Sequence, residues 1–206
     1  EGPPEENPWG IKFMRMFDMS NDSHLFRTRE QLEGEGFELE GNVFVRRTGG
    51  GEERWLPLYE AKMFHQYNHR FADYRDRLVD SRSTQLPQVP VERLKDPDYA
   101  PLPRYWVPAA EVDARLEGKW DRSWLLGWRD ICRSTDERTV IATILPRSGT
   151  DFTIRVGFPR SAEPRLCACL LANLNAMSFD YVARQLLGGT HLSDYIMKQL
   201  PVLPPG

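Results

Sequence analysis

Residues 124–147, WLLGWRDICRSTDERTVIATILPR, constrain this chain more than any other stretch. Two apolar runs, Trp124-Leu125-Leu126-Gly127-Trp128 and Val140-Ile141-Ala142-Thr143-Ile144-Leu145, bracket a polar segment, and Pro146 stops the second run. Both are of strand length and rich in aromatic or β-branched residues, which predicts two packed strands. Ordinary hairpin loops use about two to five residues; residues 129–139 make a longer connection, filled with guanidinium, carboxylate and hydroxyl groups. Held by two stiff strands, such a loop is suited to presenting recognition groups. The same residues also suit a solvated hairpin whose Arg and Asp/Glu side chains pair with one another.

The 206 residues suffice for one large domain or two small ones with a real core. Sixteen Pro and six Trp predict irregular connections and aromatic anchoring. The formal charge of −3 excludes a polycation. Its distribution is uneven: residues 1–60 carry 13 Asp/Glu against 7 Lys/Arg, residues 61–206 carry 17 against 20, giving balances of −6 and +3. The basic bias of the later part permits nucleic-acid contact without requiring it. Three Cys (Cys132, Cys167, Cys169) argue against a disulfide framework and for a reducing compartment. No apolar run reaches the length of about 18 residues that a membrane helix needs, and no signal peptide is visible, so a soluble, cytoplasmic chain is expected. The opening EGPPEENPWG reads as a linker (1–10) from an upstream domain, which leaves 11–206 as the domain proper.

Along that domain, 11–19 is apolar enough for a strand. Thr28-x-x-Gln31 has capping-box spacing and predicts a short helix over 29–33, ended by Gly34. Residues 37–39 and 43–45 predict a hairpin across Gly41-Asn42, and Gly49-Gly50-Gly51 a flexible break. No Lys-Ser/Thr follows those glycines, which removes a phosphate-loop reading. Tyr59, Met63 and Tyr67 recur at four-residue spacing and predict a helix with His65, Gln66, His69 and Arg70 largely elsewhere on its surface. His65 and His69 at i, i+4 have metal-binding spacing, but no Glu follows His65 and no third ligand is near, so an anionic partner suits this face better than a metal. Residues 80–103 predict a Pro-rich irregular connection. A strand over 104–107 and a helix from Pro108 to Gly118 follow, with another strand over 152–158. Pro164 opens the longest predicted helix, 166–187, with an apolar ladder of Leu166, Leu170, Leu174, Met177 and Tyr181. Gly188-Gly189 ends it, and Thr190, in preference to Ser193, caps a short last helix. These elements predict a mixed α+β fold: a twisted sheet of short strands, a long C-terminal helix and long irregular loops. No nucleophile elbow, dinucleotide fingerprint or metal-type Cys set is present, so no catalytic residue and no metal site are expected.

Three stretches together carry a resemblance: LPLYEAKMFHQYNHRF (56–71), residues 124–147, and LLANLNAMSFDYVARQLLGGTHLSDYIMKQLPVLPP (170–205). They resemble the region downstream of the catalytic domain in large adenine-specific DNA methyltransferases of type II restriction-modification and related phage-defence systems. The tail is also similar to the end of a target-recognition domain in type I specificity subunits. The resemblance implies a target-recognition domain whose partners are duplex DNA and a covalently attached upstream methyltransferase domain, in a bacterial or archaeal cytoplasm. It implies S-adenosylmethionine for the parent enzyme and no cofactor for this chain; whether the parent also cuts DNA stays open. Phosphate contacts set register and base-edge contacts specify sequence. The candidates for both are Arg129, Arg133, Ser134, Thr135, Arg138 and Thr139 in the long loop; His65, Gln66, Asn68, His69 and Arg70; and Arg184, Gln185, Gly189, Thr190, His191 and Lys198 near the tail. Residues 37–54 or 80–103 could instead read bases, leaving these positions as scaffold. An alternative function is a protein-interaction module that docks the methylase to a nuclease or defence partner, and a hydrolase using His65 and His69 is the weakest.

Overall fold

The computed structural model describes residues 7–77 and 85–205. The chain forms strands β1 (Lys12–Met14), β2 (Glu38–Glu40), β3 (Val43–Thr48), β4 (Gly51–Tyr59), β5 (Trp106–Pro108), β6 (Trp124–Arg129), β7 (Ala142–Pro146), β8 (Gly149–Thr150) and β9 (Ile154–Phe158). Its helices are α1 (Met19–Asp22), α2 (Arg29–Gly34), α3 (Val91–Leu94), α4 (Ala109–Leu116), α5 (Pro164–Leu174), α6 (Met177–Leu186) and α7 (Asp194–Met197). The fold is mixed α+β, built on two sheets. One has the antiparallel order β1-β9-β6-β7; the other runs β2-β3-β4-β5, with β8 lying parallel to the end of β4.

Side-chain alternation along β6 sets the layers. Leu125 enters a core shared with Phe17, Tyr59, Val107, Leu116, Ile154 and Val156. Leu126 and Trp128 enter a second core against Leu170, Leu174, Phe179 and Ala183 of α5 and α6. The first sheet is therefore buried on both faces, which is why its central strand reads as an unbroken apolar run. Gly127 is part of that packing: a Cβ there would stand 3.0 Å from Leu145 and 3.3 Å from Ile154. A small third core joins Leu32 of α2 to Phe44 and Trp106 of the second sheet.

Several local expectations match. Thr28 and Gln31 form a reciprocal capping box at α2. β2 and β3 pair across Gly41-Asn42, with Gly41 at φ +64°. β6 and β7 pair antiparallel from Trp124↔Pro146 to Trp128↔Ala142. The glycine run, read as a flexible break, instead holds the tight β3–β4 connection, since Thr48 pairs with Gly51.

Four expectations are corrected. The predicted strand over 11–19 is confined to Lys12–Met14, with α1 starting at Met19. The helix read from Tyr59, Met63 and Tyr67 does not form: Tyr59 ends β4, a single 3₁₀ turn covers Ala61–Met63, and irregular turns follow. Pairing with β3, β5 and β8 outweighs the four-residue spacing. The long helix over 166–187 is two helices, bent by 56° at Asn175-Ala176. Asn175 causes the break. Its amide side chain accepts from Ala142 N–H at 3.0 Å and donates to Ala142 C=O at 2.9 Å, capping the outer edge of β7 as another strand would. The break resets the helical phase. Met177 and Tyr181, placed in the apolar ladder, are 79 % and 66 % exposed, and Phe179 and Ala183 take the buried face. Finally, Ser193 and not Thr190 caps α7, accepting from Ile196 N–H.

Residues 7–10, read as linker, dock on the domain: Trp9 is buried and donates to Leu203 C=O at 2.8 Å. Residues 1–6 of that segment, and 80–84 of the predicted Pro-rich connection, lie outside the described residues; the rest of that connection contains α3. Among the described residues no single helix is long and apolar enough to cross a membrane.

Candidate nucleic-acid interface

The loop between β6 and β7 is braced from beneath by two buried polar side chains, Asp180 and Asn175, and by the half-buried Arg184 and Arg129. Asp180, in the first turn of α6, accepts from Thr139 N–H at 2.8 Å and Val140 N–H at 2.7 Å, and its second oxygen accepts from Arg184 at 2.8 Å. Arg184 then donates to the carbonyls of Ser134 and Glu137, fixing the loop's crest to the helix. Asn175 receives Arg138 on its main-chain carbonyl while its side chain holds β7. Arg129 donates to Phe64 C=O and lies 5.6 Å from the Phe64 ring.

Asp130 fixes the opposite flank. It is fully buried, accepting from Arg155 Nε at 3.1 Å, and its other oxygen stands 2.7 Å from Nδ1 of His191. Its main chain completes a short ladder with the following turn: Leu192 N–H donates to Asp130 C=O at 2.7 Å and Cys132 N–H to Thr190 C=O at 3.1 Å. A carboxylate bound to Nδ1 of a histidine fixes the ring's orientation, so Nε2 of the largely exposed His191 is the nitrogen left to a partner.

The third stretch packs alongside. His65 and Asn68 exchange backbone hydrogen bonds at 2.8 and 3.0 Å, closing a tight turn in which Tyr67 adopts φ +59°. Gln66 donates to Val140 C=O and Tyr67 N–H to Ala142 C=O, so this turn borders the loop. Burial, followed by the Arg129 charge, holds His65 below the ordinary imidazole range.

The candidate residues therefore divide. Arg129, Arg138, Thr139, Gln66 and Arg184 spend their polar groups on the protein itself. Arg133, Ser134, Thr135, Gln185, Gly189, Thr190 and His191 are exposed on the ridge above them. Asn68 accepts from Arg70 N–H within the turn, and His69 faces a shallow cavity beside Trp124 and Ile144. Arg70 leaves the group: it donates to the carbonyls of Leu94, Asp96 and Tyr99, tying down the segment after α3. Lys198 lines a separate cavity. Without the predicted helix, His65 and His69 no longer share a helical face, and the described residues contain no group of three metal-ligating side chains. Sequence reasoning missed Asp180, Asn175 and Arg155. The only signal for them was polarity at positions that an amphipathic helix or a buried strand would fill with apolar residues.

Two cations in the cluster lack a carboxylate partner. Among the described residues no salt bridge reaches Arg129 or Arg133. Burial lowers Arg129 to about 10, so it remains charged at neutral pH. Comparison with family models, curated proteins and solved structures finds no match for the chain.

Proposed function

We propose that the domain binds duplex DNA sequence-specifically, as the target-recognition region of an adenine-specific DNA methyltransferase whose catalytic domain supplies the S-adenosylmethionine chemistry. One observation carries the reading: the three stretches behind the family resemblance meet in a single ridge. A rigid polar base there presents Arg133, Ser134, Thr135, Thr190 and His191 to solvent. Arg133 is exposed and forms no salt bridge among the described residues, so its charge is open to a phosphate. Hydroxyls and the imidazole suit base edges in the major groove.

Fluorescence anisotropy on a random duplex pool at low salt tests the proposal. Binding should weaken steeply as salt rises, and Arg133→Ala should lower the slope of log K against log salt by about 0.9. A folded domain that binds no duplex, or an Arg133→Ala variant with unchanged affinity and slope, would sink the assignment of this ridge.

A second reading draws on a different surface. Met177 and Tyr181 stand one turn apart on α6, and both are well exposed, at 79 % and 66 %. Apolar side chains paired in this way suit a protein partner, such as a nuclease or another defence subunit. Sedimentation with the parent's catalytic part, with and without DNA, separates the two: a complex that forms without DNA and is lost in Met177→Lys supports docking through α6.

A further inference from the structure

Tyr67 sits at the tip of the turn that borders the β6–β7 loop. His65 and Asn68 close this turn as a reciprocal pair, which leaves Gln66 and Tyr67 as its two central residues. Where the second central residue of such a turn needs a positive φ, Gly or Asn supplies it at little cost. Tyr67, at φ +59°, is the one non-glycine residue with a positive φ among the described residues. A bulky side chain in this region is strained. Bonds to β7 and the loop before it hold the turn in place: Tyr67 N–H donates to Ala142 C=O at 3.3 Å and Gln66 to Val140 C=O at 3.2 Å.

The fold draws little from this side chain in return. Among the described residues 56–71 Tyr67 alone is exposed, at 61 %. Its hydroxyl has no hydrogen-bond partner and its ring stacks on no other ring among the described residues. Backbone strain kept at an exposed residue points to function rather than stability. The surroundings favour nucleic acid. Residues 61–71 carry Lys62, Arg70 and two histidines and no carboxylate. Gln66 and Arg138 donate to the same carbonyl, that of Asn175, at 3.5 and 2.5 Å, which sets the turn beside the loop that carries Arg133, Ser134 and Thr135. We infer that Tyr67 is a stacking residue, which lays its ring on the face of a DNA base where the duplex is opened. The inference rests on the duplex-binding reading. Paired bases hide their faces inside the helix, and enzymes that act on a base take it out of the stack, baring the faces of its neighbours. Stacking on an aromatic ring is indifferent to which base is present. Tyr67 therefore serves the opening of the duplex, and the polar ridge its sequence.

Fluorescence anisotropy on the whole chain tests it with two short duplex pools of random sequence. One is fully paired; the other has a single central abasic position, which leaves the opposite base unpaired. At low salt the wild type should bind the abasic pool about tenfold more tightly, the worth of one base–aromatic stack. Tyr67→Asn suits the left-handed turn and removes the ring. It should bind the paired pool as the wild type does, lose the preference for the abasic pool, and melt at or above the wild-type temperature. Tyr67→Phe should keep the preference. A wild type that binds both pools equally, or a Tyr67→Asn variant that keeps the preference, would overturn the inference and leave duplex binding standing. A wild type that binds neither pool would remove both. If Tyr67→Asn melts well below the wild type, the ring serves the fold; if it loses only the complex with the parent's catalytic part, Tyr67 docks a protein. Either result overturns the stacking role.

Discussion

Two charge-dense hairpins in this protein use similar residues in opposite ways. In β3–β4 the charges pair across the strands. Arg46 lies opposite Glu53 and bonds it at 2.8 Å, and Arg47 lies opposite Glu52 at 3.0 Å while also binding Glu40. These side chains are one-third to more than one-half exposed, so water screens each pair. Around the β6–β7 hairpin, guanidinium groups bond main-chain carbonyls: Arg129 that of Phe64, Arg138 that of Asn175, and Arg184 of α6 those of Ser134 and Glu137, with Asp180 as the one carboxylate shared by Arg138 and Arg184. The carboxylates beneath them are buried. The first hairpin neutralises itself and leaves little charge for a partner. In the second, charge is spent on fixing a backbone, and the exposed groups above remain uncommitted. Proximity of Arg and Glu in a sequence does not separate these outcomes; the geometry beneath the loop does.

Removing Asp130 should show the difference at its largest. Asp130→Ala removes the carboxylate that hydrogen-bonds buried Arg155, leaving it only Asp194 at 3.8 Å, and frees His191, a loss expected to cost about 3 kcal/mol. Chemical denaturation measures it. A loss below about 1 kcal/mol would place the Asp130 network in the same class as the surface pairs of β3–β4.

Asp151 sharpens the comparison because it is buried without a guanidinium. Thr153 hydrogen-bonds it through N–H and hydroxyl, yet burial raises its carboxyl from 3.8 to about 7. The folded state therefore holds a proton that the unfolded state has released. Stability should fall as pH rises from about 4 through about 7, by on the order of 2–4 kcal/mol, and level off above that. Asp151→Asn should flatten this part of the profile. His65 and His69, both held down by burial, act on the other side: protonation favours the unfolded chain as pH drops below about 6.5. Thermal melts from pH 4 to 9 on the wild type and Asp151→Asn separate the contributions. An unchanged profile in the variant would remove Asp151 from the account.

Gly149 tests whether the cores beneath the two hairpins are continuous. β8 lies against β4, and a Cβ at Gly149 would stand 2.6 Å from Val107 and 3.1 Å from Leu58. Gly149→Ala should cost about 1–3 kcal/mol through overpacking, whereas a freely tolerated alanine would mean that this junction is loose.

The strands were legible because their signals are local. The capping box at Thr28, the turn at Gly41-Asn42 and the apolar run of β6 each act within a few residues. The three-stretch cluster was legible only as a set of segments, since nothing in the residues states that His191 meets Asp130 across 61 positions. The errors share a cause. Asn175 breaks a helix for the sake of a strand edge 33 residues away, and β4 takes Tyr59, the first residue of a spacing that suits a helix, into its pairing with β8. Tertiary pairing decided both. The individual roles of Arg129, Arg138 and Arg184 were hidden for the same reason: a guanidinium satisfied by distant carbonyls looks, in sequence, like one waiting for a phosphate.

The smallest expected effect sets the floor of the comparison. Arg46 pairs with Glu53, but it also donates to Glu35 C=O at 3.0 Å and lies 4.3 Å from the Phe37 ring. Arg46→Ala alone would therefore report packing along with charge. A double-mutant cycle with Glu53→Ala isolates the pair, and the coupling should be about 0.2–1 kcal/mol, shrinking as salt is added. Duplex affinity should be the same in all four proteins of the cycle, because the charges of this hairpin already satisfy each other. A coupling above about 2 kcal/mol, or a loss of DNA binding in the Arg46→Ala variant, would break the distinction between the hairpins and move the recognition surface toward β3–β4.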